Sequence, residues 1–159
     1  GGWKLITTQL NHERVGLGPA GRVAGIYERV HGWASQPRSD GVVPIEQPGA
    51  ARLLGQIKSI QRVNELLNWQ VAASGETIAV ADAAATKVFS TERIQEVGRL
   101  AEEIVSSYGN PADPHTAELL EWLDTMTKRN LVITFGGGVN EVMREMIAAS
   151  GLNVPRVPR

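Results

Sequence analysis

The sequence predicts an all-α domain, built as a four-helix bundle with a short additional C-terminal helix. Apolar residues make up 42% of the 159-residue chain but aromatic residues only 5%. The core should therefore be aliphatic and rich in alanine, which suits packed helices better than a β-sandwich. Apolar residues also recur at three- and four-residue steps over long stretches that short loops separate. We expect one domain over residues 1–159, long enough to bury a hydrophobic core.

The apolar stripes, together with the glycine and proline residues between them, place five helices. Their expected bounds are Trp3–Gly32, Gly49–Ala73, Ile78–Ser107, His115–Arg129 and Asn140–Gly151. Three glycines and a proline interrupt the first helix between residues 16 and 21, so a kink or a close helix contact is expected there. Residues 35–48 contain three prolines and an Asp-Gly pair and are predicted to form a loop.

Charge and composition exclude several classes of function. The formal net charge is −1, whereas nonspecific nucleic-acid binding needs a basic surface. The chain has no cysteine, which excludes thiol catalysis and cysteine-based zinc sites, and we predict no metal site. No apolar stretch approaches the roughly 20 residues that span a bilayer. The opening residues carry no signal-peptide pattern, so a cytoplasmic location is expected.

Two segments contain the candidate functional residues. They are Leu10-Asn11-His12-Glu13-Arg14-Val15 and Phe135-Gly136-Gly137-Gly138-Val139-Asn140-Glu141-Val142-Met143-Arg144. Taken alone, Glu13 beside Arg14 is most often a solvated helix carboxylate. Three successive glycines most often form a flexible turn before a helix.

Together, the two segments resemble the C-terminal helical domain of the acyl-CoA dehydrogenases. The first is similar to the family's Leu-x-x-Glu-Arg and the second to its Tyr-Glu-Gly-Thr-Asn-Glu-Ile-Gln-Arg. The resemblance covers essentially the whole chain, and it implies that the family's N-terminal helical domain and middle β-domain are missing from the chain. Most members carry the catalytic base at the first Glu of the second motif, here Gly137. A minority, similar to the isovaleryl- and long-chain-specific enzymes, carry it at the position of Glu13.

The resemblance therefore implies that Glu13 is the base. It would take the α-proton of an acyl-CoA thioester while the β-hydrogen leaves as hydride to FAD. A carboxylate in a dry pocket has a raised pKa, which suits a base that acts near neutral pH. Gly137 would let the backbone approach the thioester and its N–H polarise the carbonyl, and Gly138 would contact substrate.

Further site residues are implied by the same match. Asn11, His12 and Arg14 would line the pantetheine and acyl region of the substrate. Arg14 could equally be a structural ion-pair partner. His12 is better read as wall or surface than as a catalytic partner, because adjacent helix positions do not face each other.

Cofactor contacts are implied at the start of the last helix. Val139, Asn140 and Glu141 match the family's Thr-x-Glu/Gln, which touches the flavin phosphate and ribose. Val139 loses the hydroxyl of the usual threonine, although the helix N-terminus can still favour a phosphate. The resemblance thus implies FAD as the cofactor and an electron-transfer flavoprotein as the electron acceptor.

Two motifs that contact the flavin of a neighbouring subunit in the family are altered in this sequence. The Arg of Tyr-Ala-x-x-Arg-x-x-Phe-Gly falls on Pro37, with Arg38 one residue out of step, and residues 105–110 replace Gln-x-x-Gly-Gly-x-Gly. A sister subunit in an α2β2 heterotetramer would supply these contacts. The two motif sequences most resemble those of the base-carrying subunit of the actinobacterial enzymes of steroid and cholesterol side-chain degradation. This resemblance implies a substrate with a bulky acyl group. The alternative is a catalytically silent subunit that only builds the oligomer.

Overall fold

The computed structural model describes residues 2, 5, 6, 9, 10, 20–74 and 78–155 of the chain. Within these ranges every regular element is a helix, so the prediction of an all-α fold is confirmed. No helix in this part of the chain combines the length and the apolar character needed to cross a bilayer. The same residues contain no group of three or more His, Asp or Glu side chains that could hold a metal ion.

Four long helices and one short helix make up the bundle. They are α1 (Ala20–Ala34), α2 (Pro48–Ala73), α3 (Val80–Tyr108), α4 (Pro114–Leu131) and α5 (Asn140–Met146). Short 3-10 turns precede α2 at Pro44–Glu46 and follow α4 at Val132–Thr134. The described residues between 2 and 10 are also helical. The predicted four-helix bundle with an additional C-terminal helix is therefore present.

The 29-residue helix α3 is the centre of the bundle, and it contacts all four other helices. Its buried face carries alanine and β-branched residues, which lets neighbouring helices approach closely. Residues of α1, α2 and α4 complete one aliphatic core, as the low aromatic content predicted. Side chains with 0% exposure include Val23, Val30, Ile57, Ile94, Val97, Ile104 and Leu123. Burying each of these contributes roughly 1.5–3 kcal/mol before the entropy of ordering is subtracted.

The start of α4 shows how polar contacts fix a helix boundary. Asp113 is the N-cap, and its carboxylate accepts hydrogen bonds from the Thr116 backbone N–H at 3.2 Å and the Thr116 hydroxyl at 2.8 Å. These bonds outweigh desolvation and lower the pKa of Asp113. Pro114 occupies the first helical turn, where a missing N–H costs no hydrogen bond. The Trp33 indole N–H donates to the Thr116 hydroxyl at 3.2 Å, which ties the end of α1 to the start of α4.

The predicted last helix ends at the expected residue, Gly151, but its final turn is not an α-helix. The α-helix stops at Met146, and residues Ile147–Gly151 form a wider π-turn, in which the Leu152 N–H reaches the Ile147 carbonyl at 3.2 Å. The turn packs closely against α3, because a Cβ on Gly151 would lie 2.9 Å from the Cβ of Ala81 at the start of that helix. The apolar period alone could not show this contact.

Candidate functional site

The glycine run between α4 and α5 has a defined backbone conformation. Gly137 has a φ of 66° and Gly138 a φ of 106°, whereas Gly136 does not have a positive φ. L-residues avoid this region because their Cβ approaches the carbonyl oxygen. The segment is therefore a specific turn that needs glycine at two positions. We call residues 135–139 the glycine turn.

A buried lysine binds this turn from inside the bundle. Lys87 on α3 is 0% exposed. Its Nζ donates to the Thr134 carbonyl at 2.8 Å, to the Gly138 carbonyl at 2.8 Å and to Asn140 Oδ1 at 2.6 Å. An ammonium group has three N–H donors, and these three acceptors match them. Lys87 is therefore hydrogen-bonded to the residue immediately before the turn, to a residue within it and to the residue immediately after it.

Asn140 links buried Lys87 to residues at the protein surface through further hydrogen bonds. Its Nδ2 donates to the Thr91 hydroxyl at 3.1 Å and to Glu92 Oε1 at 3.0 Å. Glu92 in turn accepts two hydrogen bonds from Arg144, at 2.6 and 2.8 Å. Desolvation raises the pKa of Glu92, but the hydrogen bonds from Arg144 and Asn140 outweigh it and the net shift is downward. We call Lys87, Thr91, Glu92, Asn140 and Arg144 the α3–α5 clamp.

The predicted cofactor residues lie at the start of α5 with different exposures. Val139 is half-buried in extended backbone, and Glu141 is exposed in the first helical turn. The Asn140 side chain is 3% exposed and is bonded within the clamp. Any contact that Asn140 makes with a cofactor is therefore limited to its backbone.

The predicted base and its neighbours lie outside the described residues. These are Asn11, His12, Glu13 and Arg14. Their roles stay predictions, as do the substrate and cofactor roles of residues 137–141, because no bound molecule tests them. What the structure adds is the fixed conformation of the turn and the inward direction of Asn140.

The altered segment after α1 folds back on the helix. Arg38 donates to the Trp33 and Gln36 carbonyls at 2.9 Å each, and its guanidinium stacks over the Trp33 ring at 4.5 Å. It also lies 3.9 Å from an Asp113 carboxylate oxygen, and its side chain is only 12% exposed. Arg38 therefore caps the end of α1 and does not reach outward. The other altered segment begins at Val105, which is fully buried.

A cavity of about 810 Å³ opens beside Arg38 between α1 and the start of α4. Its lining includes charged side chains of both signs together with Trp33, Pro37 and Leu119. The charged and ionisable residues among its lining are Arg29, Arg38, Asp113, His115 and Glu118. Such a mixed lining does not favour an anionic group in the way that a wholly basic site would.

The sequence-based reasoning missed the α3–α5 clamp. A signal was present, because Lys87 lies three residues after Ala84 and seven before Ile94, on the predicted apolar stripe of α3. A lysine on a buried stripe requires polar partners. Which partners they are depends on contacts with residues 134–140, some 50 positions away.

Comparison with known proteins identifies the family. The family described as "Acyl-CoA dehydrogenase, C-terminal domain" matches residues 1–152. The chain belongs to the acyl-CoA dehydrogenase family. It is 74% identical over 158 residues to the acyl-CoA dehydrogenase FadE29 of Mycobacterium tuberculosis, covering 99% of this chain and 41% of the relative. The chain thus spans about two fifths of the length of the curated relatives it matches.

Two solved assemblies contain similar chains. One is the ChsE4-ChsE5 complex from Mycobacterium tuberculosis, at 34% identity and a TM-score of 0.82, covering 99% of this chain and 42% of that one. The other is the Tcur3481-Tcur3483 steroid ACAD, at 40% identity and a TM-score of 0.81, covering 99% and 41%. Both names describe assemblies of two different subunits.

The family generally uses FAD, and three side chains of this chain are unsuited to contact its phosphates. Val139 offers no hydroxyl, the Asn140 side chain is bonded inward and Arg38 is held on the end of α1. These three side chains therefore do not fit the role of flavin-phosphate ligands.

Proposed function

We propose that this protein is the base-carrying subunit of a mixed acyl-CoA dehydrogenase that introduces an α,β double bond into a bulky, steroid-like acyl-CoA. The observation that carries the proposal is the glycine turn. Where most of the family has its catalytic Glu, this chain has Gly137 in a left-handed conformation that disfavours any side chain. The carboxylate must then come from elsewhere, and Glu13 occupies the family's alternative position.

In this proposal Glu13 removes the α-proton of the thioester. The carboxylate needs a dry environment, because desolvation raises its pKa toward the value a base requires near neutral pH. Asn11, His12 and Arg14 would line the adjacent pantetheine and acyl region. FAD is the oxidant of the complete enzyme, with an electron-transfer flavoprotein as its acceptor.

The glycine turn would contribute space. Without a side chain at Gly137 or Gly138, a wide acyl group would have room to bind while the Glu13 carboxylate reaches its α-carbon. The backbone of Asn140 and the residues beside it, Val139 and Glu141, would stand near the cofactor without supplying side-chain hydroxyls to its phosphates.

A sister subunit would supply the flavin contacts that this chain lacks. Arg38 supports this view, because the only arginine of the altered segment is held on its own helix end. The two-subunit steroid enzyme and complex among the similar structures support it too. Three apolar side chains near the glycine turn are more than half exposed, namely Leu131, Val132 and Phe135. They provide apolar surface for contact with a partner. A cytoplasmic location remains a prediction.

Flavin stoichiometry tests the proposal. The full-length protein would be produced alone and together with its sister subunit, and bound flavin per chain would be measured by absorbance. We expect a colourless or insoluble single protein and a yellow complex with fewer flavins than chains. A stable yellow homotetramer with one flavin per chain would contradict the mixed oligomer.

Substrate turnover separates this proposal from a silent structural subunit, which Val139 and the inward Arg38 also favour. The complex should reduce its flavin with a steroid side-chain CoA thioester faster than with octanoyl-CoA. If Glu13→Gln in this chain leaves reduction unchanged while a carboxylate variant in the sister subunit abolishes it, the silent-subunit alternative is correct.

A further inference from the structure

We propose that Lys87 is a positioning residue that sets the backbone of the glycine turn and thereby the reacting end of the substrate pocket. The inference rests on the proposed function, because it assigns a role within that same site. No part of the proposed chemistry uses Lys87, and the side chain does not touch the solvent.

Lys87 binds the chain on both sides of the glycine turn and within it. Its three acceptors belong to Thr134, Gly138 and Asn140, so one ammonium group holds both ends of the glycine turn at distances of 2.6–2.8 Å. Glycine has more backbone freedom than any other residue. A run of three glycines therefore needs an external constraint to keep one conformation. The buried cation supplies that constraint from α3, the central helix of the bundle.

A purely structural role would not require a buried charge at this position. A buried charge carries a large desolvation cost, and a well-packed apolar residue of similar volume is often neutral or stabilising in its place. The structure keeps an ammonium group whose hydrogen bonds end on the Thr134 carbonyl before the turn, the Gly138 carbonyl within it and the Asn140 side chain after it. A small misplacement of a substrate-contacting segment can lower a rate about 100-fold, so a displaced turn would slow the reaction.

The test uses the full-length protein in complex with its sister subunit. Lys87→Met keeps the length of the side chain and removes its donors, and Lys128→Met is the matched control at an exposed lysine. Hydrogen exchange of residues 135–140 and stopped-flow reduction of the bound flavin by a steroid side-chain CoA thioester would be measured. We expect Lys87→Met to exchange at least 10-fold faster in the turn. Its reduction rate should fall at least 10-fold with the substrate Kd within threefold, and Lys128→Met should change neither.

Two results would overturn the proposal. Unchanged exchange in the turn would show that Lys87 does not hold it. Faster exchange with an unchanged reduction rate would show that the turn does not position the substrate. If the parent complex does not oxidise the thioester at all, the proposed function is wrong. The exchange measurement still tests whether Lys87 restrains the glycine turn.

A milder pair of variants covers the case in which Lys87→Met does not assemble. Thr91→Val removes the hydroxyl that binds Asn140 and the Lys87 carbonyl, and Thr91→Ser retains it. We expect Thr91→Val to speed exchange in the turn and slow reduction at least threefold, with Thr91→Ser close to the parent. Equal behaviour of the two variants would refute the role assigned to the buried network.

Discussion

Substitutions at Gly137 test whether the glycine turn needs its observed conformation. With a φ of 66°, any L-residue here has the left-handed conformation, which costs roughly 1–2 kcal/mol. Gly137→Ala should therefore lower the thermal midpoint of the assembled complex, by less than the roughly 2–4 °C per kcal/mol of a domain of 150–250 residues, because the shift falls as the unfolding unit grows. Gly137→Asn should cost less, because asparagine tolerates this region, and Gly137→Val should cost more because its side chain is β-branched.

The assay is thermal unfolding of the assembled complex, with Gly136→Ala as the matched control. Gly136 lies in the same turn but has no positive φ, so its substitution should shift the midpoint much less. If Gly136→Ala and Gly137→Ala give the same shift, the left-handed conformation of the turn is wrong.

Gly137→Glu extends the series from stability to substrate choice. In addition to the backbone cost, the variant would, under the proposed function, bring a second carboxylate to the carbon on which Glu13 acts, and two like charges at close range raise one pKa. The added bulk should also exclude a wide acyl group. We expect a larger loss of kcat/KM for a steroid side-chain thioester than for octanoyl-CoA. Equal turnover of both substrates by the variant and the parent would show that residue 137 does not face the reacting carbon.

Three further predictions concern the scaffold around the site. Gly98→Ala should destabilise the complex by about 1–3 kcal/mol, because its Cβ would lie 2.6 Å from the Thr127 hydroxyl oxygen; unfolding should show partial rescue by Thr127→Ala. Arg38→Met should lower the thermal midpoint by removing hydrogen bonds to the end of α1 while flavin per complex stays constant. The hydrogen bonds from Thr116 lower the pKa of Asp113, so the stabilisation from this carboxylate should be complete above about pH 4 and disappear as the pH falls through the lower folded value. Asp113→Asn should weaken the pH dependence of unfolding between pH 2 and 5, and the part that remains reflects other carboxylates with a lowered pKa, such as Glu92.

The fold could be predicted from the sequence because its determinants are local. The apolar stripes gave α2, α3 and α4 within about two residues at each end, and proline and Asp-Gly marked the loop before α2. The π-turn at Ile147–Gly151 could not be predicted, nor could the close approach of Gly151 to α3. A helical period carries no information about such a distance.

The site was only partly predictable for the same reason. The motif around residues 135–144 indicated where the turn lies and that its glycines matter, and the structure supplies their left-handed conformation. The sequence predicts that Asn140 is a cofactor-binding residue, and the structure shows that its side chain is hydrogen-bonded to Lys87 of α3. No pattern near Asn140 in the sequence identifies a partner 53 residues away.

Flavin reduction by the Glu13→Gln variant of the complete complex is the most direct test of the central claim. Glutamine keeps the shape of glutamate but cannot accept the α-proton, so flavin content and substrate Kd should stay close to those of the parent. The rate of flavin reduction by a steroid side-chain CoA thioester, measured by stopped-flow absorbance, should fall by at least the ~10²–10⁴-fold typical of a lost general base. A Glu13→Gln complex that reduces its flavin at a near-parental rate would contradict the assignment of the base to this chain.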